Sequence, residues 1–491
     1  MKRSLKTTIS FLILSAIILF FISPDSPTHY FYDRCDSANF FMCGKAWMCG
    51  MKPYVDFTDS KGPLLWLIYG IGYLLSPQSY TGVLILSVVA YTFTYYITYK
   101  ASFILLQDHQ SSLLSTLLMT LAYFCPLYHF ETRAEDFCMP FVIAALYNVL
   151  VILYNNKLTS KRLWSASLGF GICLGATFLI KYSITIMLGI FIPFMWLSTY
   201  IAQQSIWRSL GGICLGGIIT ILPFFIYFCI ENTFLDFINQ YFFVTFQTIK
   251  EINNNDNQGI HTYALRLMQN ATTLIFFVVS AASPLFVPLV RRYKAFPLIS
   301  VVFFIIVCMP NAKWSYYFSI CAPFMLFGCT TFAKMIITTY HQKLLLINIV
   351  TTIIIITFTI LSNYHYYHYS VLSAHMLNLK TQKDNPTRKA YKYYSNVLLQ
   401  WGRHPRIIYV DTQCMSEYGV EAEALPGCRD WSMQNGATKE MRTSTWKAIA
   451  SKKADFVIAA TKESFIRLES MGYVKVDKKS IESIHTLYKR K

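Results

Sequence analysis

Tyr32-Asp-Arg-Cys-Asp-Ser-Ala-Asn-Phe-Phe41 and Gly50-Met-Lys-Pro-Tyr-Val-Asp-Phe-Thr-Asp-Ser-Lys-Gly-Pro-Leu-Leu65 place four carboxylates in one short segment, together with Lys52 and Lys61. Strongly apolar sequence bounds that segment. Upstream, Lys2, Arg3 and Lys6 lead into an apolar stretch from about Ile9 to Ile22; downstream, another runs over about 80–106. Ionisable residues this close to membrane-length runs are candidates for function, because charge is expensive there.

The rest of the chain agrees with a bilayer setting. Its 491 residues are 54% hydrophobic and only 14% charged, with a mean hydropathy of +0.40. Soluble proteins carry roughly 25% charged residues, so an ordinary soluble enzyme is excluded. The net charge is +18, and residues 374–491, with 21 basic and 12 acidic side chains, hold +9 of it. Most of the remainder lies in short loops between apolar runs, where positive charge sets topology. A nucleic-acid partner is not expected. The 13 cysteines include no CxxC pair and no zinc spacing. Cys414 and Cys428 are left as an open disulfide pair if the tail lies outside.

Placing the basic loops inside gives a consistent path. An uncleaved first helix (1–23) leaves the cytoplasm, and 24–79 is an outer loop with interfacial helices. A bundle over 80–362 follows, with helices near 80–106, 111–128, 137–154, 163–180, 184–202, 209–230, 270–290, 296–310, 315–337 and 344–362. About 11 (10–13) transmembrane helices result. The apolar piece 64–75 is too short to span and reads as an interfacial or re-entrant helix, and 231–268 reads as an outer loop. After an aromatic cluster around His365 and His368, residues 363–491 read as a small extracytoplasmic α/β domain. Strands are expected at 406–411, 455–460 and from 472, and helices at 446–453 and 463–471.

In the first loop the order is an Asp, about fourteen residues with an amphipathic helix, Gly, Pro-Tyr-x-Asp-Phe and Lys-x-Pro-Leu. It resembles the first periplasmic loop of GT-C glycosyltransferases, in the bacterial branch related to protein O-mannosyltransferases and lipid A aminoarabinose transferases. The resemblance is specific over residues 30–70, looser to 185 and architectural beyond. It implies an all-α polytopic fold of GT-C type, and Asp36 as the catalytic acid of the first loop. Asp33 is a rival, and Asp36 also reads as a helix N-cap. Arg133-Ala-Glu-Asp-Phe137 matches the second acidic site, with Glu135 and Asp136 orienting the acceptor or holding a metal. A solvated turn with an N-cap is the alternative.

Lys61 matches the lysine of the family's Lys-Pro-Pro-Leu element, with Gly62 in place of the first Pro. It would touch the donor phosphate, as would Arg133 and Lys181, whose positive charges at outer helix ends ask for a reason. Where relatives carry a His-Tyr pair, this chain has Tyr316-Tyr317, which weakens any imidazole chemistry there. Asp56 and Asp59 read as loop structure, with contact to an acceptor sugar as the alternative.

Transfer of a sugar from a lipid phosphate to a hydroxyl needs a carboxylate to take the acceptor proton and cations to hold the departing phosphate. The expected reaction is therefore glycosyl transfer, implied to be inverting, from a polyprenyl-phosphate sugar to a glycan, lipid or protein hydroxyl. It would occur at the outer face of a bacterial inner membrane. No cofactor is assigned, and a divalent metal is left open. A polytopic polymerase or ligase using pyrophosphate-linked glycans, and a membrane transporter, are the competing readings.

Overall fold

The computed structural model describes residues 2–27, 35–128, 130–154, 158–254, 271–288, 294–299, 302, 315–339, 344–363, 386–411, 418–432, 437–476 and 485–491. Asp33, His129, Asn311–Trp314, His365, His368 and Cys414 lie outside them. Six helical stretches among the described residues are long and apolar enough to cross a membrane: Leu5–Ile22, Thr81–Leu106, Ala134–Leu153, Ser160–Ile201, Ile206–Ile230 and Tyr316–Thr339. The chain is a multi-pass membrane protein.

Contacts divide it into two units, the first made of Met1–Ser23, Ser87–Pro223 and Gln258–Tyr364, the second of Pro24–Leu86, Phe224–Asn257 and His365–Lys491.

The first unit contains α1 (Lys2–Ile22), most of α4 (Thr81–Leu106), α5 (His109–Tyr123), α6 (Ala134–Leu153), α7 (Ser160–Leu188), α8 (Ile192–Ile201) and most of α9 (Ile206–Ile230). Later helices of this unit run over Ala271–Ala282, Leu326–Thr339 and Leu344–Ser362. Hydroxyl pairs cross between α4 and α5: Tyr95 donates to Thr120 at 3.0 Å, Thr98 meets Tyr123 at 2.6 Å and Ser102 donates to Ser115 at 3.1 Å. Such bonds hold helices together where lipid gives no hydrophobic drive for association. α7 packs on α9 through small residues for the same reason. A Cβ on Gly171 would lie 2.1 Å from the Ile213 carbonyl oxygen, and one on Gly216 2.2 Å from that of Leu168.

Two expected segments differ in form. The run expected at 184–202 is broken, because α7 ends at Leu188, a 3-10 turn covers Gly189–Phe191, and α8 begins with Pro193 in its first turn. The run expected at 111–128 is helical only to Tyr123, ahead of a 3-10 turn at Pro126–Tyr128.

In the second unit, α2 (Cys35–Met48) and α3 (Pro63–Leu75) pack at backbone distance. A Cβ on Gly44 would stand 2.4 Å from the Gly70 nitrogen. Between them Tyr54 adopts φ 67°, a costly conformation for an aromatic residue, and its buried ring repays the strain. It packs on Trp66 at 4.7 Å, Phe237 at 5.3 Å and Phe228 at 5.7 Å. Within the expected outer loop at 231–268, the described residues as far as Asn254 are largely helical. They include α10 (Phe234–Ile238), a π-helical turn (Asn239–Val244) and α11 (Thr245–Asn254), and Phe237 and Tyr241 pack the first two against Tyr54.

The tail forms a five-stranded sheet of order β2-β1-β3-β5-β4. β1 (Arg406–Val410) lies parallel to β2 (Leu425–Pro426) and β3 (Phe456–Ala459). β5 (Thr486–Arg490) runs antiparallel to β3 and to β4 (Tyr473–Lys475). Helices Lys439–Ala450 and Lys462–Ser470 cover a core that includes Ile408, Val457, Ile449 and Leu468. Lys45, fully buried in the last turn of α2, donates to the Gly419 carbonyl at 2.7 Å and ties α2 to the tail.

Gly171→Ala should lower stability by about 1–3 kcal/mol through overpacking, whereas Gly217→Ala, whose Cβ would meet nothing nearer than 3.9 Å, should leave it unchanged or raise it; thermal unfolding in nanodiscs separates the two. Burial lowers the Lys45 pKa from 10.5 to about 7. Between those values the unfolded chain holds a proton that the folded chain lacks, so this lysine's contribution makes stability rise with pH across that window and stay flat below it. Lys45→Met should remove that rise from the melting-temperature profile.

Candidate functional site

In the first unit, three helix ends bring the second acidic site together. Arg133 precedes α6, Lys181 sits where α7 breaks with φ −156° and ψ 97°, and Tyr316 and Tyr317 open the 3-10 stretch Ser315–Met325. Arg133 pairs with Glu131, and Lys181 with Glu135. Each cation also lies on a tyrosine face. The Arg133 guanidinium carbon is 3.9 Å from the Tyr316 ring centroid, and the Lys181 ammonium 4.0 Å from that of Tyr317. The two rings are themselves 4.7 Å apart. Side-chain exposure is 13% for Arg133, 15% for Lys181 and 3% for Glu135, so these charges are largely removed from water. Cation–π attraction strengthens on such desolvation.

Asp136 has a different task. Its Oδ2 accepts the Arg133 backbone N–H at 2.9 Å and its Oδ1 accepts the Tyr91 hydroxyl at 3.2 Å. A carboxylate in the first turn of a helix is well placed for this, and it fixes the backbone from which Arg133 projects.

The second unit holds the first-loop site. Asp36 lies in the first turn of α2, one helical turn before Phe40 and on the same face. Lys61 extends over the Phe40 ring at 5.7 Å, donates to Ser60 Oγ at 2.7 Å and stands 4.0 Å from Asp59 Oδ1. Burial raises the Asp59 carboxyl above its ordinary range; the Lys61 charge pulls it down and the Asp36 charge pushes it up, which brings Asp36, Asp59 and Lys61 into one electrostatic group.

The motif residues around them are structural. Asp56 Oδ2 accepts the Lys52 N–H at 2.7 Å, and the Tyr54 hydroxyl donates to the Lys61 carbonyl at 3.3 Å. Asp59 closes the turn by accepting the Lys61 N–H at 3.1 Å. The expectation that Asp56 and Asp59 serve the loop agrees with these bonds, and Asp59 also faces the lysine.

A metal is not favoured by these residues. Glu131 and Glu135 are each paired with a cation, and no group of three or more His, Cys, Asp or Glu suited to holding an ion occurs among the described residues. Sequence reasoning missed Glu131 and the use of Tyr316 and Tyr317 as faces for cations. The only signal was the adjacency of two tyrosines in the position where a His-Tyr pair was sought.

No protein-family model matches the chain, and no curated protein is similar to it in sequence. Solved structures are similar in fold. ArnT from Cupriavidus metallidurans bound to undecaprenyl phosphate superposes with a TM-score of 0.64 at 11% identity, covering 98% of this chain and 97% of that one. The same protein in the apo state gives 0.63 at 11% identity with the same coverage. The likeness is one of fold, and it covers nearly the whole chain.

The Lys181–Glu135 pair makes a separable prediction. Lys181→Met strands a buried carboxylate and should destabilise by about 3 kcal/mol, while the double variant Lys181→Met/Glu135→Gln should recover much of that loss. A double-mutant cycle on thermal unfolding measures the difference.

Proposed function

We propose that this chain, a multi-pass protein with a GT-C-type fold, is a glycosyltransferase that takes its sugar from a polyprenyl-phosphate donor. The sugar would pass to a hydroxyl of a glycan, lipid or protein on the outer face of a bacterial inner membrane, with the N-terminus cytoplasmic and the C-terminal α/β domain periplasmic. The observation that carries this reading is the pair of desolvated cations, Arg133 and Lys181, resting on adjacent tyrosines at the ends of apolar helices. The fold likeness to a protein bound to undecaprenyl phosphate supports a lipid-phosphate ligand.

In this reading Asp36 takes the proton from the acceptor hydroxyl. The acceptor oxygen attacks the anomeric carbon from the face opposite the phosphate, and the bond from that carbon to the phosphate oxygen breaks. Polyprenyl phosphate leaves with the electron pair and the configuration inverts. Negative charge grows on the phosphate as the bond breaks; the cations proposed to meet it are Arg133 and Lys181 of the first unit and Lys61 of the second. Arg133 suits two phosphate oxygens through its planar fork, whereas lysine acts as a point charge. Glu135 sets the position of Lys181, and Asp136 holds the turn that carries Arg133.

Purified protein in nanodiscs, given labelled polyprenyl-phosphate sugars and an envelope extract as acceptor, should release polyprenyl phosphate from one donor. Asp36→Asn should lower the rate by about 10²–10⁴-fold and Lys61→Ala by about 10²-fold. Equal release by all three proteins would overturn the assigned roles. Release only from pyrophosphate-linked glycans would overturn the donor class.

A further inference from the structure

A cleft of about 1140 Å³ lies within the second unit, apart from Asp36 and Lys61. Its walls come from the first loop at Met51, Val55 and Asp56, from the segment after β2, and from one face of the helix Lys439–Ala450. Five cations line it: Arg406, Arg429, Lys439, Lys447 and Lys453. Against them stand two carboxylates, Asp56 and Glu440, of which Asp56 already accepts the Lys52 N–H. Arg429 also pairs at 3.4 Å with the buried Asp430 behind the wall, so the excess positive charge rests on Arg406 and the three lysines.

Lys439, Thr443 and Lys447 follow one another at intervals of four along the helix, and Ser451 continues the row past its end, so ammonium and hydroxyl groups alternate along one wall. None of the Lys439, Lys447 and Lys453 ammonium groups has an ion-pair partner among the described residues, and the buried Arg429 Nε has no hydrogen-bond acceptor there. The rigid side of the cleft is held in place: Thr58 donates its N–H to the Arg429 carbonyl at 3.1 Å, and Arg406 donates to the Pro426 carbonyl at 3.1 Å.

We propose that this cleft binds an anionic oligosaccharide, a glycan bearing carboxylate or phosphate groups. The unpaired cations supply the charge, and the alternating hydroxyls suit sugar hydroxyls between the charges. The volume exceeds the roughly 300–1,000 Å³ typical of a small-molecule pocket, which points to a ligand of several units. Binding does not depend on the transfer reading; use of the cleft to hold the acceptor rests on it.

The test is equilibrium binding to the full chain in nanodiscs of uncharged lipid, with no donor present. Labelled trigalacturonate is the probe, and maltotriose and inorganic phosphate are the comparisons. Trigalacturonate should bind, maltotriose should not, and affinity should fall as salt rises. The triple variant Lys439→Gln/Lys447→Gln/Lys453→Gln alters exposed side chains only and should weaken binding about tenfold or more. Unchanged affinity in that variant, equal binding of maltotriose, or no binding of trigalacturonate would overturn the proposal. Full displacement by inorganic phosphate at equal concentration would also overturn it, by showing a bare anion site. Polyprenyl phosphate release with the envelope extract as acceptor, measured separately on the unaltered protein, keeps failure of the cleft distinct from failure of the transfer reading.

Discussion

A cation taken out of water beside an apolar helix must find compensation or be lost. Arg133 and Lys181 each find it twice, in a carboxylate and in the face of a tyrosine. Much of the first unit's local structure serves that arrangement. α7 breaks at Lys181, α6 begins where Asp136 receives the Arg133 N–H, and the chain returns at Tyr316 and Tyr317 to supply the rings. A fixed pair of largely dry positive charges is costly as mere structure. In the proposed role, as a receptor for a lipid-linked phosphate, it would be economical, because the donors are already oriented and partly desolvated before the ligand arrives.

The second unit follows the same rule with different parts. Lys61 is held by Asp59, Ser60 and the Phe40 ring, and its backbone by the strained Tyr54. The strain at Tyr54 persists because Trp66, Phe228 and Phe237 surround the ring. Residues far apart in the chain thus secure a turn only a few residues long.

What the sequence disclosed followed the range of each interaction. The acid–lysine loop was legible because Pro53, Tyr54, Asp56 and Gly62 act on their immediate neighbours. The tail strands at Arg406–Val410 and Phe456–Ala459 were legible as short apolar runs between polar turns. α10 and the π-helical turn after it were not, because the aromatic residues of 234–242 pack against partners such as Tyr54, nearly two hundred residues earlier. Tyr316 and Tyr317 were read as a departure from an expected histidine, since nothing local shows that Arg133 and Lys181 would lie on them. Asp136 was read with Glu135 as one acidic site, yet the two carboxylates divide the work: one holds a backbone turn and the other a lysine.

The most direct measurement of the central claim is the binding of a polyprenyl phosphate and of the matching polyprenol to the protein in nanodiscs, with and without Arg133→Gln. The phosphate should bind the unaltered protein far more tightly than the alcohol, and Arg133→Gln should remove most of the difference while leaving polyprenol binding in place. Equal affinity for the phosphate and the alcohol in the unaltered protein would contradict it.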